Sequence, residues 1–379
     1  MRVLLVNAHG ADPAYGGAER YVRELARGLA GRGCEVAVLS AFPQRTHVEG
    51  IETMTLHGSD WRDDTRRRIR NRIGDVAAAP WPRLGSVLAE LRPDLVHTGN
   101  LPGIGTGIWE VARRSGIATV HTLHDYYLLC ARTSLVRSDG SPCSPSPLLC
   151  GVRMRRLARW SGGVDAIIAG SEHLLAAHTG IFAATPPTVI RLPLAASGAS
   201  PTEPPSALRD LGYLGALTAA KGVDMLLAAA PELARSGVRV RIAGDGPLRA
   251  RVEEAPVDYA GRLDGPAVAE FTHACDAGIV PSTWEEPGGP PYTVCDWLAA
   301  GRPVLAARRG GLTEIQGSGG VAGFEPTRAG IVDAVSGLRD PDRWERIVGA
   351  VPEVADGRDL ERWLDEHEAV YASAIARRP

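Results

Sequence analysis

Two carboxylates flank a glycine pair in the stretch Pro281-Ser-Thr-Trp-Glu-Glu-Pro-Gly-Gly-Pro-Pro-Tyr-Thr-Val-Cys-Asp-Trp-Leu-Ala-Ala-Gly-Arg-Pro-Val304. Glu286 precedes Gly288-Gly289 and Asp296 follows it. Ionised carboxylates accept hydrogen bonds, and backbone N–H groups at glycines approach a ligand closely because no Cβ intervenes. A helix opening near Pro291 would point its unsatisfied N–H groups and positive dipole end at an anion. Hydroxyl acceptors beside an anion-binding helix start suit a nucleotide-sugar. A helix cap followed by a buried helix fits the same residues without any ligand.

The elements that must hold this stretch are legible around it. The apolar run Asp276-Ala-Gly-Ile-Val280 reads as a strand feeding the loop, and open α/β sheets bind ligands at strand carboxyl ends. Upstream, Leu211-Gly-Tyr-Leu-Gly215 reads as a strand, Lys221-Gly222 opens a helix, and Val238-Arg-Val-Arg-Ile-Ala243 is a strand ending in Gly244-Asp-Gly246. A short Val257–Ala260 strand ends in Gly261-Arg262, and Pro303-Val-Leu-Ala306 continues the rhythm.

The amino-terminal half repeats the pattern. Met1-Arg-Val-Leu-Leu-Val-Asn7 reads as a buried strand rather than a signal peptide. It leads through a long loop to Gly16-Gly17-Ala-Glu19 and a helix carrying Val22, Leu25, Ala26 and Leu29 at helical spacing. Gly31 and Gly33 stop it before the strand Glu35–Ser40. Further strands end in His97-Thr98, His124-Asp125 and Ser171-Glu172-His173, polar groups placed to line one crevice. The segment 195–207 is rich in Ser, Pro and Gly and reads as a linker between domains 1–194 and 208–359. The helix 360–379 is expected to pack back on the first domain. Two βαβ halves imply an α/β protein of two doubly wound, Rossmann-like domains facing a central cleft.

Composition excludes several classes. A chain of 379 residues with 44% hydrophobic and 23% charged residues reads as globular, and a net charge of -2 argues against a nucleic-acid binder. No apolar run approaches the ~20 residues of a membrane span. Six cysteines form no secreted disulfide framework, which points to a cytoplasmic protein. Cys130, Cys143 and Cys150 span an irregular Ser/Pro-rich insertion. Zinc with a fourth ligand, one disulfide or buried free thiols all fit, and at least one pair is expected to lie close together. The basic run Arg66–Arg72 reads as a solvated helix face or as a contact for a phosphate-bearing or membrane-surface acceptor.

Taken together, Gly16-Gly17, His124-Asp125, Ser171-Glu172, Gly215 with Lys221-Gly222, Gly244-Asp-Gly246, Gly261, Pro281-Ser282, Glu286-Pro287 and Ala299–Val304 resemble the GT-B nucleotide-sugar glycosyltransferases of family 4. The resemblance implies a retaining transferase moving a sugar from a UDP-, GDP- or dTDP-sugar to an acceptor hydroxyl of a carbohydrate, lipid-linked or natural-product molecule. It implies catalytic roles for His124, Lys221 and Glu286. It implies donor binding by Gly16, Gly17, Gly215, Gly244, Arg262, Gly288, Gly289 and Asp296, and acceptor-side roles for Glu19, Asp125 and Ser171. No cofactor or metal is expected, since Lys221 would neutralise the departing diphosphate. A peripheral membrane contact is a further expectation.

The chain departs from the family pattern in three places. Nine residues separate Glu286 from Asp296, more than the family's usual spacing, and an aspartate stands where a glutamate is usual. Ala216 replaces the arginine that follows the strand-end glycine, with Arg262 as the candidate substitute. The Cys130–Cys150 insertion, after a His-Asp-aromatic start, resembles only a subgroup of the family marked by its cysteines. A non-catalytic binding partner subunit and a nucleotide-sugar epimerase are the alternative functions.

Overall fold

The computed structural model describes residues 1–57, 82–137, 143, 148–194, 203–317, 319–351 and 360–378. The basic run 66–72, residues 195–202 of the expected linker and much of the cysteine-bearing insertion lie outside them. The chain divides into two compact units. One comprises Met1–Leu135, Cys143–Ile190 and Leu364–Pro379; the other is chiefly Arg191–Trp363.

The first unit is built on a seven-stranded parallel sheet. Its strands are β1 (Arg2–Asn7), β2 (Glu35–Ser40), β3 (Glu52–Thr55), β4 (Leu95–Thr98), β5 (Ala118–Leu123), β6 (Ala166–Ala169) and β7 (Pro187–Val189), in the order β3-β2-β1-β4-β5-β6-β7. Every residue of β4, β5 and β6 is buried, as expected of central parallel strands covered on both faces. The helix Gly17–Gly31 packs on this sheet through Val22, Leu25, Ala26 and Leu29, all buried. It stops where the sequence says it should. Gly33 adopts φ +83°, its N–H reaches the Ala30 carbonyl at 3.0 Å, and the Cys34 N–H reaches Leu29 at 3.0 Å.

The second unit holds a six-stranded parallel sheet. It orders β8 (Asp210–Leu214), β9 (Arg239–Ala243), β10 (Asp258–Tyr259), β11 (Ala277–Val280), β12 (Val304–Ala307) and β13 (Val321–Phe324) as β10-β9-β8-β11-β12-β13. In each sheet the winding reverses once, between β1 and β4 and between β8 and β11. At such a switch point adjacent loops leave in opposite directions and open a crevice at the carboxyl ends of the strands. The helix Tyr292–Ala299 packs flat on β8 and β11 because Trp297 lies over Gly212 and Gly278, where a Cβ would overlap the indole. One departure from expectation concerns the insertion. A helix, Leu148–Ala158, begins before it was expected to end, so Cys150 is helical.

The helix Leu360–Ile375 contributes its residues from Leu364 onward to the first unit. Leu364 packs over Gly28, which has no side chain to obstruct it. Arg32 pairs with Asp365 at 2.7 Å and Glu368 at 2.5 Å. Beneath these surface pairs runs a buried polar row. The Tyr371 hydroxyl meets His97 Nδ1 at 2.5 Å, His97 Nε2 meets Thr122 Oγ1 at 2.6 Å, and the Tyr21 hydroxyl bonds His367 Nε2.

Burial keeps these imidazoles neutral. Desolvation lowers the pKa of His97, takes His121 down to about 3 and His124 to about 4, and lowers His178 as well. The unfolded histidines would take up protons below about 6.5 while the folded ones do not. Their contribution to stability is therefore complete above that value and is lost as pH falls toward the folded values. Asp125, raised to about 7 chiefly by burial, works the other way, because the folded carboxyl keeps a proton that the unfolded one loses above about 3.9. Each fully shifted group contributes at most about 1.4 kcal/mol per pH unit, so several histidines outweigh one aspartate. The melting temperature is expected to fall between pH 7 and pH 5, measured by differential scanning fluorimetry. A melting temperature that rose on acidification would mean that these rings are charged in the folded state.

Candidate functional site

In the second unit the chemistry gathers at the switch point. Gly222 has φ +74°, and a side chain there would overlap the Pro281 carbonyl, so the loops leaving β8 and β11 can touch only because residue 222 is glycine. That contact delivers Lys221 to Glu286, Nζ to Oε1, at 2.6 Å. The same Oε1 accepts Ser282 Oγ at 2.5 Å and the Trp284 indole N–H at 2.8 Å. The Trp284 ring also lies 4.8 Å from the Lys221 ammonium. The Glu286 backbone is held too, since its carbonyl accepts the Gly311 N–H at 2.7 Å.

The consequence is an asymmetric carboxylate. All the side-chain donors on Glu286 converge on Oε1, and Oε2 accepts none from the described residues. Lys221, likewise, gives one of its three ammonium N–H groups to Glu286, and its side chain stays 34% exposed. The pair thus offers one free acceptor and two free donors from a rigid mount. Trp284 and Gly311 were not singled out in the sequence, and Ser282 was named there only within the Pro281-Ser282 motif, with no role given to it. The spacing Ser282-x-Trp284-x-Glu286 was the available signal.

The other expected donor-side residues distribute as follows. Asp296 is buried on the Tyr292–Ala299 helix, Gly289 is buried and Gly288 half-buried in the loop before it. Gly215 and Gly244 adjoin, with the Gly215 N–H bonded to Ala243 and the Gly244 N–H bonded to Gly261. Arg262 is half exposed, 3.7 Å from Asp264. Ala216 accepts the Tyr213 hydroxyl at its carbonyl, at 2.7 Å. Arg302, in the Ala299–Val304 motif, is buried and bonds the carbonyls of Glu203 and His273, a structural pin.

In the first unit, Gly16 and Gly17 stand exposed at the amino terminus of the Gly17–Gly31 helix, and Glu19 in its first turn is buried against Asn7 Nδ2 at 3.1 Å. His124 follows β5, set edge-on to Tyr21 at 4.8 Å between ring centroids. Its Nε2 is buried and has no hydrogen-bond partner among the described residues, beside Gly99. A buried neutral ring with an unused nitrogen is costly unless something else bonds it. Asp125 accepts the Tyr127 N–H at 2.7 Å and titrates near neutrality. Ser171 caps the helix Glu172–His178, accepting the Leu174 N–H at 3.1 Å.

Two family models match the chain: "Glycosyltransferase Family 4" over residues 15–192 and "Glycosyl transferases group 1" over residues 209–340. The chain belongs to glycosyltransferase family 4. Curated relatives of this transferase include a 42.6 kDa protein of the Klebsiella pneumoniae cps region, 26% identical over 83% of the chain and 87% of the relative. A glycogen synthase of Mycobacterium tuberculosis is 27% identical over 91% of the chain and 88% of that enzyme. Among solved structures, the sucrose-phosphate synthase of Thermosynechococcus elongatus aligns with a TM-score of 0.76, covering 99% of both chains at 18% identity. Anabaena HepE in complex with UDP and glucose aligns at 0.68, covering 98% of this chain and all of that one at 17% identity. The fold of the transferase is GT-B.

All six cysteines are free thiols, so no disulfide closes the insertion, and no cluster of metal-binding residues occurs among the described residues. Cys130 is buried, whereas Cys143 and Cys150 are half-buried. Burial also raises the Cys275 thiol to about 12. Alkylation of the native protein should therefore label Cys34, Cys143 and Cys150 first, and Cys130, Cys275 and Cys295 only on unfolding. Protection of Cys143 together with Cys150 in the native protein, relieved by a reductant or a chelator, would contradict this.

Proposed function

We propose that this glycosyltransferase moves a sugar, with retention of anomeric configuration, from a nucleoside-diphosphate sugar to an acceptor hydroxyl. The observation that carries the reading is the split Lys221–Glu286 pair, with a free carboxylate oxygen for a sugar hydroxyl beside a cation with two N–H groups to spare. In this reading Lys221 takes the charge that grows on the departing diphosphate. Glu286 Oε2 accepts a hydroxyl of the transferred sugar, and Asp296 accepts the ribose hydroxyls. The acceptor oxygen bonds to the anomeric carbon on the face that the diphosphate leaves, and its proton passes to the departing phosphate oxygen. His124 Nε2 is the first unit's candidate for a sugar hydroxyl. No metal is required, so turnover should survive EDTA.

Relatives support the donor class. HepE is solved with UDP and glucose, and a mycobacterial mannosyltransferase described as GDP-mannose-dependent is 36% identical over 28% of the chain. Both carry a nucleoside diphosphate, which is the part that Lys221 and Asp296 would hold.

The roles separate by mutation. Lys221→Ala should lower kcat by about 10²–10³ with little loss of donor affinity, because the charge it meets develops in the transition state. Asp296→Asn should weaken binding of the free nucleoside diphosphate by about tenfold or more. Glu286→Gln should leave that binding unchanged or tighter, since it frees Lys221 from its carboxylate, while turnover falls by about tenfold or more. Isothermal titration with UDP and GDP, together with initial rates of sugar release, distinguishes these outcomes. Tight donor binding with no release or transfer in the wild-type protein would identify a binding subunit, and an isomerised donor an epimerase. Loss of nucleoside diphosphate binding in Glu286→Gln would reverse the assignment of the two carboxylates.

A further inference from the structure

The Leu148–Ala158 helix carries a surface that the transfer reading does not use. Leu148 is 86% exposed, Leu149 81% and Val152 43%, and the only other exposed large hydrophobic among the described residues is Met1. Clustered exposure of this kind marks an interaction site rather than ordinary surface. Spacing puts the residues on one side. Val152, Arg155 and Arg156 follow Leu148 at four, seven and eight positions, Leu149 precedes Val152 by three, and Arg159 lies exposed one residue past the helix end. Leu157, on the opposite side, is fully buried and anchors the helix to its own unit. Arg153 also faces inward, bonding the Tyr127 carbonyl at 2.6 Å and lying 4.8 Å from the Tyr127 ring centroid.

The outer face is divided along its length, apolar in the first turn and basic beyond it. Arg155 and Arg156 are exposed and have no hydrogen-bond or ion-pair partner among the described residues. Arg159 lies 4.2 Å from the Trp160 ring centroid. From Leu148 to Trp160 there are four arginines and no acidic residue, in a chain whose net charge is -2. A basic partner would be repelled, and a neutral one would leave the guanidinium groups unanswered.

We propose that this helix docks the protein on an anionic bilayer surface. Leu148, Leu149 and Val152 enter the boundary between headgroups and acyl chains, while Arg155, Arg156 and Arg159 bind lipid phosphates. The docking is peripheral, because among the described residues no helix is long and apolar enough to cross a membrane. It rests on this surface alone and not on the transfer reading.

The test is flotation of the full-length protein with vesicles of phosphatidylcholine alone or mixed with phosphatidylglycerol. Wild-type protein should float with the anionic vesicles, much less with neutral ones, and be released by high salt. Arg155→Ala and Arg156→Ala should each weaken binding roughly fivefold, equivalent to about 1 kcal/mol. Leu148→Ser/Leu149→Ser should weaken it by more than about tenfold. None of these should change the melting temperature, since the side chains are exposed, and Arg155→Glu/Arg156→Glu, which keeps helix-forming residues, should abolish flotation. Equal flotation with both vesicle types, or variants that float as the wild type does, would overturn the proposal. So would a wild-type protein that ignores vesicles but forms a dimer that Leu148→Ser/Leu149→Ser dissolves, which would assign the face to a second copy of the chain.

Discussion

The chemistry of the second unit depends on how closely the loops leaving β8 and β11 approach. Parallel strands at a switch point are neighbours in the sheet, but their loops diverge unless something draws them together. Here it is a backbone contact, Gly222 against the Pro281 carbonyl, with no room for a Cβ. From below, Trp297 fills the space that Gly212 and Gly278 leave on those two strands and holds the Tyr292–Ala299 helix to their faces. The Lys221–Glu286 pair is a result of this packing. An ion pair with one partner 34% exposed adds little to stability, so its value lies in aim.

The first unit solves a comparable problem with buried polar groups. His124 leans on Tyr21, and Tyr21 is fixed by hydrogen bonds to His367 and Thr122. His97 is held from both ring nitrogens by Tyr371 and Thr122. Two of these anchors belong to the helix Leu360–Ile375, so the carboxyl-terminal chain helps set a ring that follows β5. Buried hydrogen-bonded networks are costly when half satisfied and restrictive when complete. His124 Nε2 is a buried ring nitrogen with no hydrogen-bond partner among the described residues, which makes it a place where a ligand would complete the network.

Much of this was legible in the sequence because strand runs and glycine stops are local signals. The strand beginning at Glu35 and the helix stop at Gly33 were read from a few residues each, and so was the helix start after Pro291. What could not be read was long-range. Tyr371 and His97 are 274 residues apart, and no local pattern pairs them. Ser282 and Trp284 sit beside Glu286 in sequence, but a loop's spacing does not say whose hydrogen bond goes where. The Leu148–Ala158 helix was hidden for a different reason. Its exposed leucines and arginines break the apolar periodicity by which helices are recognised, and an irregular insertion was the simpler reading.

The proposed mechanism has an electrostatic logic in the pair itself. Glu286 takes up part of the Lys221 charge before any donor arrives, so the ammonium is held in place without being buried as a bare cation. Opposite charges about 4 Å apart near a protein surface interact by roughly 4 kcal/mol, enough to fix a side chain but not to exclude a second anion. A diphosphate meeting Lys221 would share the cation with Glu286 rather than displace it, because two of the three N–H groups remain open. As the bond to the sugar breaks and charge moves onto phosphate oxygen, the cation's attraction shifts toward the phosphate. Glu286 does not lose its position in that shift, because Ser282 and Trp284 still hold Oε1. In the proposed reaction the extra donors on one oxygen would let Lys221 lean toward the phosphate while the carboxylate proposed to hold the sugar stays still.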